Sequence, residues 1–254
     1  MKCFTLYQGD RHRWLCFGQD PERPEQVIDT NQFLIDSGDE SMMIDPGGTE
    51  LFPAMTAALT RQTRVDTVRH LLISHQDPDV ASSLPLWRQV CAEDMTVYLS
   101  WMWAGFVSHF EKDAVFHKLP DEGEEVRLGN KGVRLKILPA HYLHSPGNYC
   151  LYDPEAKILF SGDIGAALVP QGEQRDIFVQ DFNRHIQYME GFHRRWMGSR
   201  QARDGWVRMV RNLDIDILAP QHGLLFQGDD VQRFLDWFSE LEIGSGVAAF
   251  DKGG

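Results

Sequence analysis

One imidazole and two carboxylates stand at alternate positions in His75-Gln76-Asp77-Pro78-Asp79. Residues of this kind bind divalent cations, and the spacing decides whether they can do so together. On a helix, positions i, i+2 and i+4 fan around the axis, whereas in an extended segment they share one side. Pro78 favours the second case, because proline pushes the residue before it toward extended backbone and is excluded from helix interiors. The apolar run Val68 to Ile73 reads as a buried strand that delivers the three side chains to a common point. Taken by itself, the stretch fits a solvated acidic turn as well as a metal corner.

Three more strand ends offer donors. His144 lies in His141-Tyr142-Leu143-His144-Ser145-Pro146-Gly147, Asp163 follows Ser161-Gly162, and His222 sits in Pro220-Gln221-His222-Gly223. Each has an ordinary alternative as a turn residue, a cap or an Asx turn. Together they form four strand-end loops, each presenting a ligand.

The elements that must position them repeat. Phe33 to Ile35, the turn Ser37 to Glu40, and Met42 to Ile44 make a hairpin that closes on Asp45, with Pro46-Gly47-Gly48 as a tight exit. Thr49 is placed to cap a helix running to about Gln62, before the strand that ends on His75. Tyr149 to Tyr152, the turn Asp153 to Lys157, and Ile158 to Phe160 make a second hairpin, closing on Asp163. A later strand, Ile215 to Ala219, leads to His222. Asn31 precedes Asp45 by 14 residues, and Asn148 precedes Asp163 by 15. The halves, roughly 1–110 and 111–245, therefore predict two similar sheets whose strand ends meet at one cleft.

Between these landmarks the pattern predicts short strands at 2–7 and 13–17, a helix from about Val80 to Cys91, and a strand at Thr96 to Leu99. An aromatic helix carrying Trp101, Trp103, Phe106 and Phe110 follows, either packed in the core or walling the cleft. Outer helices are expected near 185–199, 201–212 and 229–242. No change of composition marks a linker, so residues 1–254 read as one domain.

Bulk properties exclude several partners. The net charge of −12 argues against nucleic acid and anionic membranes. No apolar run approaches a membrane span, and Met1 to Trp14 lacks the apolar stretch of a signal peptide. Cys3, Cys16, Cys91 and Cys150 form no C-x-x-C pair and read as reduced thiols of a cytoplasmic protein.

The order His-x-Asp-x-Asp, Leu143-His144-Ser145-Pro146-Gly147, Phe160-Ser161-Gly162-Asp163 and Pro220-Gln221-His222-Gly223 resembles the metallo-β-lactamase superfamily. Within it, the likeness is to the diiron domain of flavodiiron proteins and to shorter oxygen-binding diiron proteins. The resemblance implies an αββα sandwich with a binuclear site at the sheet edges. It gives one metal to His75, Asp77 and His144, a second to Asp79 and His222, and makes Asp163 the bridge. Flavodiiron enzymes usually have Glu where this chain has Asp77, and His where it has Val80. Valine cannot bind a metal, so the second position is one imidazole short. His141 and His193 are the candidates for an extra ligand or a supporting group, and Asp45 for a supporting acid.

Three carboxylates and three imidazoles form an oxygen-rich set that suits two iron ions, or manganese, better than zinc. The resemblance then implies binding of dioxygen or another small diatomic ligand, for sensing or reduction. No FMN-binding flavodoxin domain precedes the chain's end at Gly254, so turnover would need a separate electron donor, and sensing a signalling partner. A homodimer is expected by analogy. The rival reading is a binuclear hydrolase acting on a thioester, lactone or phosphoester through metal-bound hydroxide.

Overall fold

The computed structural model describes every residue except 25, 113–114, 175 and 253–254, and no side chain of 251–252. The first sheet has seven strands in sequence order: β1 (Lys2–Gln8), β2 (Arg13–Gly18), β3 (Gln32–Asp36), β4 (Ser41–Ile44), β5 (Val68–Leu72), β6 (Thr96–Ser100) and β7 (Phe116–Leu119). The second has six, ordered β13 (Phe226–Gln227), β12 (Ile217–Pro220), β11 (Ile158–Gly162), β10 (Tyr149–Asp153), β9 (Val133–Pro139) and β8 (Glu124–Leu128).

Alternation along the strands builds the layers. In β2, Trp14 and Cys16 face the second sheet, while Leu15 and Phe17 face outward onto helices. The inner core joins Trp14, Phe33 and Ile44 to Leu135, Tyr149 and Phe160. Outside the first sheet lie α1 (Phe52–Leu59) and α3 (Leu84–Val90), which bury Met55, Leu59, Leu84 and Trp87. Outside the second lie α5 (Phe182–Trp196), α6 (Arg200–Val210) and α7 (Asp229–Glu240), which bury Met189, Trp206 and Phe234. Three cores separating four layers make the αββα sandwich expected from the sequence. β3–β4 and β10–β11 are antiparallel hairpins, with β5 parallel to β4 and β12 parallel to β11.

Three local expectations are corrected. Thr49 does not cap α1; its hydroxyl donates to Ser82 O at 3.1 Å. The helix expected from Val80 to Cys91 is split into α2 (Pro78–Ala81) and α3, because Pro85 has no N–H to give and its ring collides with the carbonyl four residues back. The aromatic helix shrinks to α4 (Ala104–Val107), leaving Trp101, Phe106 and Phe110 exposed. Trp101 turns outward and donates its indole N–H to Asp121 Oδ1 at 2.7 Å. Among the described residues, no helix is long and apolar enough to cross a membrane.

Candidate metal centre

The four loops meet where the sheets come together. Strand β5 ends at Leu72, the chain bends at His75, and Asp77 is extended, with ψ of 151°. Pro78 then opens α2, so Asp79 lies in a helical first turn. The continuous extended geometry expected for all three donors is therefore broken by the bend at His75 and ends at Asp77, short of Asp79. This change of backbone sends the two aspartates to different partners. Asp77 Oδ2 lies 3.6 Å from His75 Nε2 and 3.3 Å from His144 Nε2. Asp79 Oδ2 lies 3.4 Å from His222 Nε2.

Asp163 stands between them. Its Oδ2 is 2.9 Å from His144 Nε2 and 3.6 Å from His75 Nε2, and its Oδ1 is 3.3 Å from His222 Nε2. The candidate ligand atoms of His75, Asp77, His144 and Asp163 all lie within 4.8 Å of one another, as a metal-holding group requires. Donors about 2.1 Å from one cation would stand roughly 3.0–3.4 Å apart, close to the separations seen. His75 Nε2 and Asp163 Oδ1 are buried and have no hydrogen-bond partner. Buried lone pairs left so cost about 1–3 kcal/mol each, a cost that a cation among the donors would remove. The residues fit divalent metal.

Charge is arranged accordingly. Burial alone would lower the His144 pKa, but hydrogen bonds and charge from Asp163 and Asp77 overcome it and raise it to about 10. Burial is likewise outweighed at His222, where Asp163 and Asp79 hold the imidazole at about 9. Against the same opposing burial, the imidazoles depress Asp163 and Asp77 well below the usual carboxylate range. Asp79 moves the other way, raised by burial and by its two acidic neighbours despite His222.

Supporting contacts aim the rings. His75 Nδ1–H donates to Ser74 Oγ at 2.9 Å, the Ser74 hydroxyl donates to Asp45 Oδ2 at 2.6 Å, and Ser74 N–H donates to Asp45 Oδ1 at 2.8 Å. This chain leaves Nε2 of His75 as the lone-pair nitrogen facing the cluster. Asp45 is fully buried with φ of 46°, a left-handed conformation that aspartate tolerates, and burial raises its pKa to about 7. His222 is held by its Nδ1–H, which donates to Asp29 O at 2.9 Å.

Neither extra histidine joins the cluster. His193 is buried beneath α7; its Nδ1–H donates to Met189 O at 2.8 Å and its Nε2 accepts Gly165 N–H at 2.9 Å. Both nitrogens are occupied, so it steadies the turn after Asp163. His141 points away, giving Nε2–H to Asp121 O at 2.7 Å. Val80 is wholly buried in the core under the first sheet. Sequence reading missed Ser74 and Gln221, each the residue just before a strand-end histidine, and Trp196, whose ring packs 5.6 Å from that of His144. Adjacency to the histidines was the available signal for the first two; nothing local marked Trp196.

Among curated proteins, the chain is 26% identical over 136 residues to an uncharacterised protein of Methanocaldococcus jannaschii, covering 52% of this chain and 33% of that one. It is 23% identical over 197 residues to the type A flavoprotein of Rhodobacter capsulatus, covering 76% and 44%. The chain thus spans less than half the length of these curated relatives. Among solved structures it is similar to the apo state of the chemotaxis sensor ODP from T. denticola, with 36% identity, TM-score 0.85 and 96% of each chain covered. A structure of the peroxy diiron species of chemotaxis sensor ODP matches with 35% identity and TM-score 0.84, covering 96% of this chain and 97% of that one. A flavoprotein of Thermotoga maritima shares the fold at 21% identity and TM-score 0.77, over 93% of this chain and 60% of its own. A family model described as the ODP family beta lactamase matches residues 28–223 and so takes in all four loops of the cluster. The chain belongs to that family.

Proposed function

We propose that this protein binds dioxygen at a pair of iron ions and serves as an oxygen sensor. One ion would be held by His75, Asp77 and His144, the other by Asp79 and His222, with the Asp163 carboxylate shared. The observation that carries this reading is the division of Asp163, whose Oδ2 faces His144 at 2.9 Å while Oδ1 faces His222 at 3.3 Å. One carboxylate addressing two imidazole-carboxylate groups is what a binuclear centre needs and a single-ion site does not.

A ferrous pair with an open position supplies the affinity and the electrons for dioxygen binding. The protein's own groups do the rest. Ser74 and Asp45 fix the tautomer of His75, and the Asp29 carbonyl does the same for His222. Trp196 packs against the ring of His144, 5.6 Å between centroids. Asp77 and Asp79 are the most exposed of the six, about a third open, so a small ligand has its approach over them.

Two measurements test the proposal. Metal analysis of protein made in iron-replete cells should find two irons per chain; stoichiometric zinc without iron would defeat it. Anaerobic ferrous protein exposed to air should develop a persistent visible absorption band. Absence of any oxygen-dependent spectral change, combined with turnover of model esters by zinc- or manganese-loaded protein, would favour the hydrolase instead.

A further inference from the structure

Gln221 precedes the histidine of the second half and is wholly buried. Its backbone is pinned on both sides, its N–H donating to Gly162 O at 2.8 Å and its carbonyl accepting Asn31 N–H at 2.6 Å. Its carboxamide reaches into the cluster. Nε2 lies 3.3 Å from Asp79 Oδ2, while Oε1 is buried with no partner. Asp79 Oδ2 is in turn 3.4 Å from His222 Nε2, which is 3.3 Å from Asp163 Oδ1. The amide is thus next in line to the three donors of the second metal position.

That position needs another donor. The first metal position gathers His75, Asp77, His144 and Asp163, whereas among the described residues the second has Asp79, His222 and the shared Asp163. Val80, directly after Asp79, has no donor atom and is packed in the apolar core. A half-turn about the last side-chain bond exchanges the two ends of a carboxamide without changing its shape. Without a cation, the N–H end faces Asp79, since oxygen against a carboxylate is repulsive. A divalent cation at Asp79 reverses that preference, because an amide oxygen is a good hard donor.

We propose that Gln221 is the fourth donor of the second metal position, its amide oxygen standing in for the imidazole that Val80 cannot offer. This rests on the diiron reading and names the ligand set of its weaker half. Exchange of a nitrogen donor for a neutral oxygen keeps the charge of the site and tilts it further toward iron or manganese.

The test is anaerobic titration of the whole protein with Fe(II), and separately with Mn(II), resolving the two binding events. In Gln221→Leu the second event should weaken at least about tenfold, roughly the loss of one metal-ligand interaction or more, with the first unchanged. Gln221→Glu separates a ligand from a clamp. Glutamate keeps an oxygen donor but has no N–H for Asp79. Retained or tightened second-metal binding supports ligation, and behaviour like Gln221→Leu overturns it. If Gln221→Leu binds both metals as the wild type does, the proposal fails and the diiron reading stands; if the wild type takes up one metal or none, both fall. Should the variants not fold, anomalous scattering from manganese-loaded wild-type crystals decides. Gln221 Oε1 should lie within about 2.2 Å of the second ion, and a separation beyond about 3 Å would overturn the assignment.

Discussion

The imidazoles of the cluster are bases whose protons a metal must displace. With His144 near 10 and His222 near 9 in the metal-free protein, both are protonated at neutral pH. Apparent affinity for Fe(II) or Mn(II) should therefore rise with pH between about 6 and 8, up to about tenfold per unit for each proton released. Titrations at fixed ionic strength check this, and a flat profile would contradict it. Stability of the metal-free protein should run the opposite way. Imidazole pKa values raised on folding contribute stability that is complete below about 6.5. That contribution is lost as pH climbs through 9 and 10. Ser74 offers a second test at this scale. Ser74→Ala cuts the link from Asp45 to His75 and should weaken metal binding about 10- to 100-fold, the usual effect of losing a group that orients a ligand. Denaturant midpoints would show whether the fold is kept.

At the scale of elements, each sheet's hairpin is stitched to the other sheet's ligand loop. Asn31, leading into β3, donates its side-chain amide to Pro220 O at 3.1 Å and to Gly223 O at 2.9 Å. Tyr149 N–H, at the start of β10, donates to Ser74 O at 3.1 Å. The paired spacing of Asn31 and Asn148 ahead of their aspartates was visible in the sequence, but the exchange across the sheets was not. Asn148 instead holds its own loop, donating to Leu143 O at 2.6 Å. Gly223 is the sensitive point of this stitching. Its φ is +82°, and a Cβ there would meet Ala167 O at 2.6 Å. Gly223→Ala should cost about 1–3 kcal/mol, as left-handed strain does, and should impair binding of the second metal more than the first. Thermal unfolding together with a metal titration reads both effects.

For the molecule as a whole, the two sheets are also fastened at the turn of the β10–β11 hairpin, the opposite end of those strands from Asp163. His12, in the β1–β2 turn, lies 2.5 Å through Nε2 from Asp153 Oδ2, both side chains fully buried, and Trp14 Nε1–H donates to the same oxygen at 2.7 Å. Burial would raise the Asp153 pKa, but the bonds from His12 and Trp14 hold it below the usual range. The stability this provides is present above about pH 4 and fades as pH falls through the depressed value. Asp153→Ala would strand the buried imidazole and indole, and should cost about 3–5 kcal/mol in urea unfolding. A loss below about 1 kcal/mol would mean the two sheets are held by apolar packing alone.

Residue type and order along the chain already determined the four strand ends that carry His75, His144, Asp163 and His222, the two hairpins, and the oxygen-rich side chains of the candidate site. Those features are local: they follow from alternation, turn chemistry and side-chain hardness, which need no distant partner. The pairing of donors was decided only in three dimensions. Asp77 and Asp79 are two residues apart, yet the start of α2 turns one toward His144 and the other toward His222. The same tertiary packing withdrew His141 and His193 and brought forward Ser74 and Gln221. Whether a polar side chain faces a metal or a carbonyl depends on which buried group lacks a partner nearby, and that is a property of the folded interior rather than of any stretch of sequence.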